Sequence, residues 1–384
     1  MKLWRLALAL AVAVTAAVVP AASVSAPAAW TTTTVATGLD SPRGLAFAPN
    51  GTLYVAEAGH GGDACTAMNA LCIGTTSRIS RVDTATGTVT PVVRGLYSRS
   101  VPNEGITGVD GLAATGPHLY AAMTSFPQEL ATFTCASNAN DCATSISAAK
   151  VQAGQVLTFT PDGMWKALSP VGSDDYTWSL THTAFTRSPP NANPYGVYGV
   201  AGGAYVADAG ANTLNFVKTV GDQSIISGIP LPAAGGFPGD GVPTCVTMIA
   251  GNLYAADLSG RLWKRDGSYT PTQVPVESGG QSLIHHVTGC ASDANGDIFL
   301  ADMWGRPGPP IPAGPASVAG TGSVVELAAD GSASVVASGL TFPNGIAVAK
   351  DGSLYVTVDS TCTATGTALP FCTNGGQLVH ISQG

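Results

Sequence analysis

Apolar and polar residues alternate along this chain in short runs, and the runs come in pairs separated by Asn-Gly, Asp-Gly or Gly-Asn steps. A two-residue period marks strands with one buried face, and such turns reverse them because Gly, Asn and Asp accept positive φ. Residues 41–59 read SPRGLAFAPNGTLYVAEAG, and residues 342–360 repeat the pattern as FPNGIAVAKDGSLYVTVDS. Four further copies lie between them, at residues 109–125, 194–210, 243–260 and 287–305. An aromatic residue opens the second strand of each: Tyr54, Tyr120, Tyr205, Tyr254, Phe299 and Tyr355. A second hairpin often follows, as at residues 78–93, 155–168, 261–274 and 323–337. Two hairpins make one four-stranded antiparallel blade, and units repeated at about 40–50 residues bury their faces only by stacking. The pattern predicts an all-β, six-bladed β-propeller. A β-sandwich also spaces its strands regularly, so closure of the ring is the discriminating feature.

The ends predict that closure. The last copy is followed by one strand, residues 376–384, while residues 30–37 form a strand-like segment ahead of the first inner strand. Pairing of the N- and C-terminal strands completes the sixth blade and removes a free edge. Ahead of it, Lys2 and Arg5 precede an apolar run from Leu6 to Val19, and Ala26-Pro27-Ala28 offers a small-residue processing site. That order is a secretory signal peptide, too short in its apolar core to span a bilayer. Residues 1–28 are therefore expected to be the signal and 29–384 one propeller domain, secreted or otherwise extracytoplasmic, with no transmembrane helix and as a monomer.

Composition sharpens this picture. Charged residues make up 10% of the chain, with 47 Gly and 26 Pro among 384 residues, which favours strands and turns over helices. Without Lys2 and Arg5 the chain keeps 14 basic against 24 acidic side chains, which excludes nucleic acid as a partner because phosphate binding runs on clustered Lys and Arg. Eight cysteines in an exported chain imply up to four disulfides. Cys65 with Cys72, Cys135 with Cys142 and Cys362 with Cys372 are close pairs in loops. Cys245 and Cys290 fall at nearly matching places on neighbouring inner strands. No CxxC occurs, and the histidines do not stand at metal-ligand spacing.

Strand alternation assigns the loops to rims. First-to-second and third-to-fourth turns share one rim and are short throughout. The longer connections, residues 58–77, 125–153, 169–193, 303–321 and 360–374, share the other with all three local cysteine pairs. Long loops on a rigid scaffold carry binding, although loops also accept insertions cheaply. At the same rim, the residue ahead of the inner-strand glycine position forms a polar ring: Arg43, Asp110, Tyr195, Thr244, Thr288 and Asn344. Three residues past the aromatic anchors stand Glu57, Asp208, Asp257 and Asp302, with Asp359 one place later. These are candidate ligand-binding acids, or caps of their own turns. His285 and His286 precede the fifth inner strand, with no Ser or Asp partner assignable from the sequence. Trp178 and Trp304 lie in long loops where an indole could stack on a sugar, and the proline-rich stretch at 305–315 reads as a stiff loop over the rim.

The repeated P-x-G-(L/I)-A … NG-x-LYVA-(D/E) unit resembles NHL-type propellers and the wider group that includes gluconolactonases and strictosidine-synthase-like proteins. The export signal, VATGLDSPRGLAFAPNGTLYVAEAGHGG, the VDGLA segment and LTFPNGIAVAKDGSLYV are similar to the ScyD/ScyE family of exported bacterial propellers, across essentially the whole mature chain. That resemblance implies the fold and brings no catalytic motif. It leads to an exported propeller with no cofactor that binds a small molecule, glycan or protein at its loop-rich rim. Lactonase relatives hold a divalent cation through a carboxylate and an asparagine at inner-strand starts, and Asp110 in VDGLA and Asn344 in FPNGI match those positions. The alternative is thus a Ca²⁺-dependent lactonase or hydrolase with Glu57, Asp110 and Asn344 as ligands, although Arg43 sits in the same ring. A third reading, a pigment-pathway enzyme, requires an aromatic substrate.

Overall fold

The computed structural model describes residues 29–384, apart from 103–104, 137–140, 187–188, 234–236, 309–313 and 366–368. The expected signal peptide lies outside the described residues. Six antiparallel sheets form the six blades of a β-propeller. Blade 1 runs from its inner strand Pro42–Phe47 through Leu53–Glu57 and Cys72–Val82 to Val89–Val101, with Gly105–Thr107 added at its edge. Blades 2 to 5 begin at inner strands Val109–Thr115, Pro194–Val200, Pro243–Ile249 and Val287–Ser292. Blade 6 takes its inner three strands from residues 346–383 and its outer strand from Trp30–Leu39. There Trp30 pairs with Gln383, Thr33 with His380 and Leu39 with Gly376, so the two ends close the ring as the sequence predicts.

Alternation along each strand sends neighbouring side chains to opposite faces, and each blade thereby feeds two cores. Leu53 and Val55 pack toward blade 6, whereas Tyr54 and Ala56 pack toward blade 2. The same division recurs around the ring, giving an apolar cluster between every adjacent pair of blades. Three of the aromatic anchors, Tyr54, Phe299 and Tyr355, meet a ring of the neighbouring blade edge to face. Tyr54 meets Phe159 at 5.7 Å between centroids, and Tyr355 meets Phe47 at 5.5 Å.

Near the axis the constraint is closeness. A Cβ on Gly44 would lie 2.9 Å from the Asp110 carbonyl oxygen, and one on Gly196 would lie 2.7 Å from that of Thr244. The glycine position of each repeat is therefore where one inner strand lies against the next blade. Blade 4 departs from the rule by placing Cys245 there, and it is bonded to Cys290 of blade 5 across 5.6 Å between Cα atoms. Cys65–Cys72, Cys135–Cys142 and Cys362–Cys372 are the other three disulfides.

Three of the long connections are less irregular than the sequence suggests. Residues 72–77 belong to a strand, because Cys72–Val82 pairs with Val89–Val101 and projects as a ribbon above blade 1. Residues 125–153 and 169–193 carry short helices, α1 (Cys142–Gln152) and α2 (Val171–Ser179). No helix among the described residues is long and apolar enough to cross a membrane.

Candidate functional site

The polar ring closes on itself. Tyr195 of blade 3 reaches across the axis to blade 6, where the Asn344 Nδ2 donates to its hydroxyl at 2.7 Å. Arg43 lies 3.5 Å from Asp110 through Nε and donates through Nη1 and Nη2 to the carbonyls of Ser360 and Ile106, each at 2.5 Å. Thr244 and Thr288 turn their hydroxyls onto the Val287 and Pro343 carbonyls of the following blades, at 2.7 and 2.8 Å. Five of the six ring residues are buried and Tyr195 is half-buried. Burial pushes the Asp110 carboxyl up to about 7, with Arg43 acting against the shift. Exposure along the inner strands rises toward their far ends, at Thr115, Val200, Ile249 and Ser292. The axial channel, about 250 Å³, therefore opens at the short-turn face and is capped by its polar ring at the loop-rich face.

The four acids at the second-strand ends are drawn into the blades. Glu57 accepts from Arg78 Nε at 2.8 Å, from Arg78 Nη2 and Ser80 Oγ at 2.5 Å, and from the Asp40 amide at 2.8 Å. Asp208 Oδ1 accepts the amides of Asn193, Gly210 and Ala211. Asp257 takes Arg261 Nε and Trp263 Nε1 on one oxygen, each at 2.8 Å. Asp302 Oδ1 accepts the amides of His285 and His286 at 2.9 and 2.5 Å. Each side chain ties a strand end to the loop beside it, which is the Asx-type turn chemistry of carboxylates at strand ends. Burial nevertheless pushes Asp257 up to about 6, against the pull of Arg261.

These contacts bear on a channel cation. A Ca²⁺ site takes about 6–8 oxygen ligands, several of them charged. Glu57 already accepts four hydrogen bonds, and Asp110 faces a guanidinium. Among the described residues no group of three or more His, Cys, Asp or Glu side chains stands close enough to hold a metal. The set Glu57, Asp110 and Asn344 does not fit such an ion as arranged here.

Connections on the other side of the ring build an open cleft. Residues 229–242 and 275–286, which sequence reasoning did not count among the long connections, join blade 3 to 4 and blade 4 to 5 on the loop-rich rim. Pro232, Ala233 and Phe237 of the first and Pro275–Glu277, Ser282 and Ile284–His286 of the second, with Ser259–Arg261 and Pro307–Gly308, enclose about 460 Å³. Its walls are apolar over Phe237, Pro275, Val276 and Ile284, and carry the polar side chains of Ser259, Arg261, Gln273, Glu277, Ser282, His285 and His286. Asp302 is the partner for His285 that the sequence could not supply: Oδ2 lies 3.3 Å from Nδ1. The second histidine is structural. His286 Nδ1 and Nε2 contact the carbonyls of Leu258 and Arg306, its ring lies 4.4 Å from Trp304, and burial lowers its pKa. Trp304 is itself buried against Phe342, and Trp178 stacks on His182 at 4.1 Å, so both indoles already have ring partners.

These features define a closed six-bladed β-propeller with a capped channel and an elaborated rim. No protein-family model matches the sequence, and no curated protein does either. Similar solved structures include a structural-genomics protein of unknown function from Bacteroides thetaiotaomicron, with TM-score 0.56 and 10% identity over 92% of this chain and 76% of that one. Another is a gluconolactonase from Xanthomonas campestris, with TM-score 0.52 and 10% identity over 92% of this chain and 89% of that one. At such identity the likeness is one of fold.

Proposed function

We propose that the protein is an exported propeller of the ScyD/ScyE type that binds a small molecule, glycan or protein on its loop-rich rim without turning it over. One observation carries the reading. The cleft between blades 4 and 5 and the three local disulfides share the rim opposite the short turns, while the polar ring that caps the channel is tied up in contacts among its own members and with neighbouring backbone carbonyls. Rigid blades with stapled loops preorganise a binding surface and lower the ordering cost of association. Four disulfides are of the kind that persist in oxidising compartments, which supports export. A thermal-shift panel of divalent cations, lactones, sugars and ring alcohols, run with a lactone-hydrolysis assay, tests the proposal. The expected result is stabilisation by an organic ligand with no turnover. Stoichiometric Ca²⁺ and lactone turnover that are both lost in Asp110→Ala would overturn it in favour of the hydrolase.

A further inference from the structure

We infer that the cleft between blades 4 and 5 is a binding site for a small, flat, largely apolar ring compound carrying one hydroxyl group, which donates its hydrogen bond to His285. The inference rests on the rim-binding reading and names the place and the ligand chemistry. Asp302 takes two backbone amides on one oxygen and faces His285 Nδ1 with the other, so that nitrogen carries the hydrogen. Nε2 is then left as an acceptor, and it makes no hydrogen bond among the described residues. It stands in the wall of a cleft large enough for a bicyclic molecule.

The remaining walls select against charge. Arg261 is the one arginine or lysine in the lining, but Asp257 neutralises it through contacts of 2.8 and 2.7 Å, and its guanidinium lies 4.8 Å from the Trp263 ring centroid. Glu277 also borders the cleft, so an anionic ligand would meet a carboxylate in the lining, where the arginine is already paired with Asp257. Phe237, one of the few exposed large apolar residues, offers a ring face beside Pro275 and Ile284. Of the seven polar side chains in the lining, Ser259, Arg261, Ser282 and His286 already hydrogen-bond within the protein, so a sugar would have Gln273, Glu277 and His285 for its several hydroxyls and would bury the others unpaired. A flat apolar body with a single donor fits what remains.

2-Naphthol is a suitable probe, titrated into the mature protein by calorimetry or through its own fluorescence. Saturable binding is expected, weakened about tenfold in His285→Ala and about tenfold when the hydroxyl is masked as 2-methoxynaphthalene. The two losses should not add, because both remove the same bond. Phe237→Ala, at an exposed position, is expected to weaken both ligands alike. 2-Naphthoate and methyl β-glucoside are expected to bind at least tenfold more weakly than 2-naphthol. Hydrogen exchange of the wild-type complex separates failure of this inference from failure of the broader one. Protection at residues 257–286 supports the cleft. Protection confined to other rim loops, such as 58–71 or 124–134, overturns the cleft and spares rim binding. Protection confined to the short-turn face, or no saturable binding of any probe on the rim, overturns both.

Discussion

Replacing Asp175 with asparagine should make the protein more stable above neutral pH and flatten its pH dependence. Asp175, on α2, is fully buried against Asp208 of blade 3. Thr213 Oγ1 and Asn215 Nδ2 donate to Asp175 Oδ2 at 2.6 and 2.7 Å, and three amides donate to Asp208 Oδ1. The other oxygen of each, Asp175 Oδ1 and Asp208 Oδ2, has no donor, and the two carboxyls contact one another. One shared proton satisfies both. Burial, with the neighbouring carboxylate second, pushes Asp175 well up, and burial pushes Asp208 up to about 6. Acids whose folded pKa exceeds the unfolded value stabilise the fold fully below about pH 4, and that contribution is lost as pH rises through 6 and above. One such proton is worth about 1.4 kcal/mol per pH unit in this range. In Asp175→Asn the amide N–H replaces the proton and its carbonyl keeps Thr213 and Asn215. Urea unfolding at pH 4, 5 and 6, with disulfides intact, should therefore show the variant gaining on the wild type as pH rises, by up to about that amount per unit while the pair keeps its proton. Asp175→Ala is the control: it loses the same pH dependence and lies about 1–3 kcal/mol below Asp175→Asn at every pH because the Thr213 and Asn215 donors are stranded. Parallel pH profiles for wild type and Asp175→Asn would refute the shared proton.

Other outcomes follow from the same structure. Joint replacement of Cys245 and Cys290 by alanine should cost about 2–4 kcal/mol in urea unfolding, because the bond closes a 45-residue separation in the unfolded chain. Tyr195→Phe removes the acceptor for Asn344 at the channel cap and should cost about 1 kcal/mol while leaving secondary structure by circular dichroism unchanged. Deleting residues 30–37 exposes the strand Gly376–Gln383 as a free edge, and size-exclusion chromatography should show association or aggregation in place of the wild-type species.

The blades were legible because they repeat. Six inner strands, six aromatic anchors and the same small-residue position recur at matched intervals, so each copy corroborates the others. The latch and the four disulfides followed from what the repeat left over at its ends and in its loops. What stayed hidden lies between copies. Tyr195 and Asn344 are 149 residues apart and meet only because their blades are opposite. Asp302 and His285 are 17 apart, yet their contact needs the loop before blade 5 to fold back over the end of a strand. The helix α1 carries no apolar stripe, since the residues it buries are Ser145, Ala149 and Gln152. It is held by the Cys135–Cys142 bond and by Gln152 accepting the Tyr97 amide at 2.6 Å, neither of which is a periodic signal. Glu57, Asp208, Asp257 and Asp302 look alike in the sequence. Only their donors separate Glu57 and Asp257, each paired with an arginine, from Asp208 and Asp302, which take backbone amides.

Soaking crystals of the mature protein with a mixed set of ring alcohols, lactones and monosaccharides would test directly whether ligands bind on the loop-rich rim. The account predicts density in the cleft between blades 4 and 5, with a ligand oxygen within hydrogen-bonding reach of His285 Nε2. Density confined to the axial channel, entered from the short-turn face, would contradict it.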